Sequence, residues 1–165
     1  MKIPEWLERW KKQFHIWCFK VIHKDKLPLK FDVFCIGDMS FDYSNEKIPG
    51  TLYVSGRLDA SDLTICDTLI VDGCIDANDL FVYSSCISGE DIKVANATVF
   101  DGDFISKGDI DAYSITVIKG SCFALHSIDS FNINIDDTLD CYDVVAYGHE
   151  IYAYDYVCRY YEEEI

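Results

Sequence analysis

The sequence is poor in positive charge. Fourteen Lys and Arg side chains face 29 Asp and Glu, for a formal net charge of −15. Binding phosphate needs a basic surface, so neither DNA nor RNA is an expected partner. Long apolar runs are absent too. None approaches the ~18 residues of a membrane-spanning helix, and residues 1–30 carry too many interspersed charges for a signal peptide. Cys18, Cys35, Cys66, Cys74, Cys86, Cys122, Cys141 and Cys158 form no C-x-x-C pair, which leaves zinc-knuckle and thioredoxin-type chemistry without a motif. Without a secretion signal they are expected to be free, structural thiols in a reducing cytoplasm. Catalytic signatures are missing as well. His15, His23, His126 and His149 show no metal spacing, and no G-x-S-x-G elbow, P-loop or dinucleotide fingerprint occurs. No enzyme, cofactor or metal is expected.

What is present is a folding composition. Half of the 165 residues are apolar and 15% aromatic, enough for the core of one domain. Charge then divides the chain. Residues 1–30 hold eight basic and three acidic side chains, and residues 31–165 hold six basic and 26 acidic. In the basic segment Pro4 suits a first helical turn, with Glu5 and Glu8 at the positive end of the dipole. Leu7, Trp10, Phe14, Trp17 and Val21 fall on one helical face, and Pro28 ends the pattern. An N-terminal amphipathic helix is expected here, as a cap on the body; a basic, Trp-rich helix also suits a membrane surface or a partner.

The acidic body, residues 31–165, repeats. An eight-residue pattern occurs seven times: Leu58–Ile65, Ile75–Val82, Ile92–Val99, Ile110–Val117, Ile128–Ile135, Leu139–Ala146 and Ile151–Cys158. It runs apolar, often Asp, small, variable, Asp/Asn/Ser, apolar, variable, apolar. Starts lie 17, 17, 18, 18, 11 and 12 residues apart. Each copy holds two apolar-x-apolar pairs starting five residues apart, such as Ile110/Ala112 and Ile115/Val117. That is too short for a hairpin and right for a strand, a corner and a second strand. The long spacings leave room for a third strand, such as Leu69/Val71, Ile87 or Phe104. The pattern predicts a mainly β fold: a parallel, right-handed, three-sided β-helix of about six coils from near residue 50, with an irregular coil at 31–49. In the two short spacings the motif moves to other sides of the coil.

This coil rhythm resembles that of bactofilins and other small bacterial single-stranded β-helices. The left-handed hexapeptide class of acyltransferases keeps a stricter period. Within the repeat, Asp59, Asp76, Asp111 and Asp129 form a column interrupted by Lys93. A solvated face, a docking surface for a basic protein and a calcium site are the readings for it, the last without the glycine-rich calcium repeat. Tyr113, Phe131, Tyr142 and Tyr154 share another motif position. Acid and tyrosine interleave most densely near the C-terminus, so the expected partner-binding residues are Asp111, Asp129, Asp137, Asp140, Tyr142, Asp143, Tyr154 and Asp155.

A small, very acidic domain without catalytic motifs is similar to the immunity proteins of bacterial toxin systems. That resemblance implies a cytoplasmic antitoxin, a monomer or small oligomer, which neutralises a basic, nuclease-type toxin domain. The alternative is a bactofilin-like structural subunit that polymerises end to end, tethered to a membrane by its N-terminal helix.

Overall fold

The structure, a computed structural model, describes residues 33–41, 46–146 and 151–162, with side chains as far as residue 158. These belong to the unit Phe31–Ile165. The expected helix in residues 1–30 lies outside the described residues. Among those described, every regular element is a strand, and no helix is long and apolar enough to cross a membrane.

The strands stack in three parallel ladders, so the chain is a parallel β-solenoid. The first side stacks the three-residue strands Val33–Cys35, Leu52–Val54, Leu69–Val71, Cys86–Ser88, Phe104–Ser106 and Cys122–Ala124, each in register with the next. The eight-residue strands Leu58–Ile65, Ile75–Val82, Ile92–Val99 and Ile110–Val117 supply the second and third sides. Their pairing skips the fourth residue, as between Ala112 and Ser114, and the chain turns its corner there. Met39–Phe41 and Glu46–Ile48 pair below the two halves of Leu58–Ile65. The strand Ser127–Ala146 continues around further sides, and Ile151–Glu162 pairs parallel to it.

The stack has about seven turns, not six. The difference is the segment expected to be irregular. Val33–Cys35, Met39–Phe41 and Glu46–Ile48 supply strands on all three sides, each in register with the next coil. The segment's motif is obscured in the sequence because Val33 and its register partner Leu52 are 19 residues apart, against the 17 or 18 of the later coils.

Alternation builds the core. In each three-residue stretch the outer two side chains point inward, giving columns such as Leu58, Ile75, Ile92, Ile110 and Ile128, all 0–1% exposed. Small residues occupy the tightening end of the second side, where Ala60, Ala77, Ala112 and Ser130 are buried. The inward polar groups are satisfied: Ser88 donates to Gly73 O at 2.8 Å and Ser106 to Glu90 O at 2.7 Å.

Corners carry a second set of bonds, and they account for many acids. Asp91 Oδ1 accepts from Asp109 N at 2.9 Å, and Asp109 Oδ1 accepts from Ser127 N at 2.9 Å and Ser127 Oγ at 2.6 Å. Asp38 does the same for Arg57 N, at 2.8 Å. At the corner between the third and first sides, Ser85 Oγ accepts from Asp103 N and Asp103 Oδ1 from Ser121 N, at 3.2 and 3.1 Å. Each of these side chains staples its coil to the next. The Ser127 hydroxyl, then its N–H, hold the Asp109 carboxyl below its ordinary pKa. The corners also bring the chain close to itself: a Cβ on Gly120 would fall against the backbone carbonyl of Gly102.

Candidate functional site

Only the middle residue of each three-residue stretch faces outward, so each side presents one outward column, and the three columns differ chemically. On the first side it runs Phe34, Tyr53, Ile70, Ile87, Ile105, Phe123, Asp140, Val157. Tyr53, Ile70 and Ile87 are nonetheless buried. The Tyr53 ring stacks on Phe34 at 4.6 Å and its hydroxyl bonds Asp72. Ile87, which the sequence placed in a third strand, is the outward member of its strand, between inward Cys86 and Ser88. On the third side the column is Lys47, Thr64, Phe81, Thr98, Thr116, Asn134, Tyr152.

The second side carries the column read in the sequence: Ser40, Asp59, Asp76, Lys93, Asp111, Asp129, in register on successive coils. Strand spacing brings like charges to ~4.8 Å of each other, and cations relieve them. Arg57 reaches Asp76 at 2.7 Å and Asp59 at 3.8 Å, and Lys93 reaches Asp111 at 4.0 Å. In the neighbouring corner column Asn96 Nδ2 donates to Asp79 Oδ1 at 2.7 Å. These pairs are half-exposed or more, so each stabilises the fold by well under 1 kcal/mol, about the usual worth of a surface ion pair.

The residues expected to bind a partner fall in three places. Asp111 and Asp129 lie on the second side. Asp140 lies on the first side, with Tyr142 and Asp143 at the corner that follows it; Tyr142 N donates to His126 O there at 2.8 Å. Tyr154 and Asp155 lie between the third and first sides, where Asp155 pairs with Thr138, next to Asp137. The four aromatics that share a motif position therefore form no single column. Tyr113 and Phe131 stack at 5.1 Å with nearly parallel rings between the second and third sides, whereas Tyr142 and Tyr154 occupy the other two corners. The motif has moved to other sides in the last coils, and the column breaks with it.

One concave feature joins some of these residues. Phe123, Ala124, Leu125, Asp140, Cys141 and Tyr142 line a shallow depression of about 90 Å³. Leu125 and Tyr142 are about half exposed beside it, and Asp143 Oδ1 is buried with no hydrogen-bond partner among the described residues. The depression combines apolar contact with carboxylate. Sequence reading missed Phe123 and Leu125; the signal was the apolar outward column of the first side, which the short third strands concealed. Among the described residues no three metal-capable side chains gather.

No protein-family model matches the chain, and no curated protein or solved structure is significantly similar to it. Its chemistry has to speak for its function.

Proposed function

We propose that the protein is a non-enzymatic, acidic interaction module of the cytoplasm: an immunity or antitoxin protein that binds and neutralises a basic, nuclease-type toxin domain. The observation that carries this reading is uncompensated carboxylate. Residues 31–165 hold 26 acidic and six basic side chains, so even one-to-one pairing leaves a surplus of 20. A rigid scaffold with a one-signed field steers a complementary partner and fixes its orientation. The contact patch in this reading centres on the depression beside Asp140 and Tyr142, with Asp143 at its corner and Leu125 and Phe123 as apolar anchors. Within the same proposal the coil winds right-handed, as the five-to-seven-residue strand rhythm favours, and residues 1–30 form the basic amphipathic helix.

The test is binding to a basic toxin domain encoded beside the gene. The complex is expected to weaken steeply as ionic strength rises, and the Asp140→Asn/Asp143→Asn variant to bind at least tenfold more weakly than Asp111→Asn. A salt-independent complex, or no such neighbour, overturns the proposal.

A bactofilin-like structural subunit, polymerising end to end with a membrane tether in residues 1–30, is the second reading. One observation favours it: on the last coil the inward positions Ile151, Ala153 and Cys158 are only half buried, as at an end where another coil can stack. Salt-insensitive filaments in light scattering would select it over a monomer or small oligomer.

A further inference from the structure

We infer that Cys141 and Cys158 are a built-in oxidation site, which a low-molecular-weight disulfide converts to a protein disulfide that latches the last coil. The two are register partners on adjacent coils of the first side. Partners in neighbouring parallel strands have Cα atoms about 4.8 Å apart, inside the window of roughly 4.4–6.8 Å that a disulfide bridges. Alternation sends both side chains to the interior: Cys141 belongs to the core and Cys158 packs against it. The Cys158 thiol reaches the Tyr142 carbonyl at 3.7 Å, immediately beside Cys141.

No other described cysteines meet this way. Cys35 pairs with Val54. Cys86 and Cys122 share an inward column, but Phe104 lies between them, and two coil steps of ~4.8 Å exceed the reach of a disulfide. Access separates Cys158 from Cys86 and Cys122. Cys86 and Cys122 are fully enclosed, with thiols that burial keeps protonated. Cys158 is half-buried on the final coil and makes the first attack; Cys141 is buried at the edge of the depression, its thiol also kept protonated by burial, and follows as the resolving thiol.

The chemistry balances without a bound cofactor. The Cys158 thiol gives up its proton and its sulfur attacks one sulfur of oxidised glutathione, expelling one glutathione thiolate that takes the proton. Cys141, on losing its own proton, attacks the Cys158 sulfur and expels the second glutathione, which is protonated in turn. Two protein thiols are oxidised and one small disulfide is reduced to two thiols. The new bond spans one coil and ties the terminal strand to the stack.

The test uses the full chain, reduced and then equilibrated in an oxidised glutathione buffer. Thiol titration after unfolding is expected to fall from eight to six, with a Cys141–Cys158 crosslink in chymotryptic peptide maps and slower amide exchange across Ile151–Glu162. Cys158→Ser is expected to lose no thiol pair. A glutathione adduct that persists on Cys158, a crosslink between any other cysteines, or eight thiols retained would each overturn the inference, and the wild-type map decides it even if the variant folds poorly.

Discussion

Asp109 and Asp111 lie two residues apart, one at a corner of the coil and one on a flat side. Asp109 accepts two hydrogen bonds from Ser127 on the next coil. Asp111 faces outward, 63% exposed at its side chain, with Lys93 4.0 Å away. A corner aspartate is part of the framework; a side aspartate is part of the surface. Net charge alone therefore does not say which acids a partner can touch: the corner carboxylates keep their charge and add to the field, but their oxygens are already bonded to the next coil.

Four substitutions separate core, corner and surface. Ile115→Asp, inside the third side where the native side chain is 1% exposed, places an unpaired charge in the core. It should cost about 4 kcal/mol or more and abolish the cooperative transition in thermal melts. Gly120→Ala forces a methyl against the Gly102 carbonyl and is expected to lower stability by about 1–3 kcal/mol in urea denaturation, the cost of overpacking. Asp109→Ala removes the staple and should cost about 1 kcal/mol, the worth of its hydrogen bonds. Asp111→Asn should stay within about ±0.5 kcal/mol, as surface changes do. If Asp109→Ala were as silent as Asp111→Asn, the distinction between corner and side would be lost.

Corner and side aspartates also differ in acid. The Asp109 pKa is lowered in the fold, so its contribution is fully present above the unfolded-state pKa, near the ordinary carboxylate value of ~3.9. It is lost as pH falls through the lowered folded value. Stability measured from pH 5 downward should drop less steeply in Asp109→Ala than in the wild type.

The inward rungs were legible because alternation repeats at the coil length: Ile110/Ala112 and Ile115/Val117 announce their strands without any neighbour. The first side was only half legible. Three-residue strands such as Cys86–Ser88 are too short to show a period, so Ile87 gave no hint that it points outward. Corner staples were invisible for a different reason. Asp109 meets Ser127 only once the next coil is wound above it, and nothing local distinguishes it from Asp111. The aromatic positions misled through the shortened spacing after Ile135, which carries a constant motif around the coil and scatters Tyr142 and Tyr154 to separate corners.

Ile92 sits directly under Ile110, and each following residue under its counterpart. Excising residues 92–109 in one piece would join Asp91 to Ile110 and set Ile110 over Ile75, leaving the remaining layers matched. The molecule can thus lengthen or shorten by whole storeys while its inner lining and its three façades stay aligned.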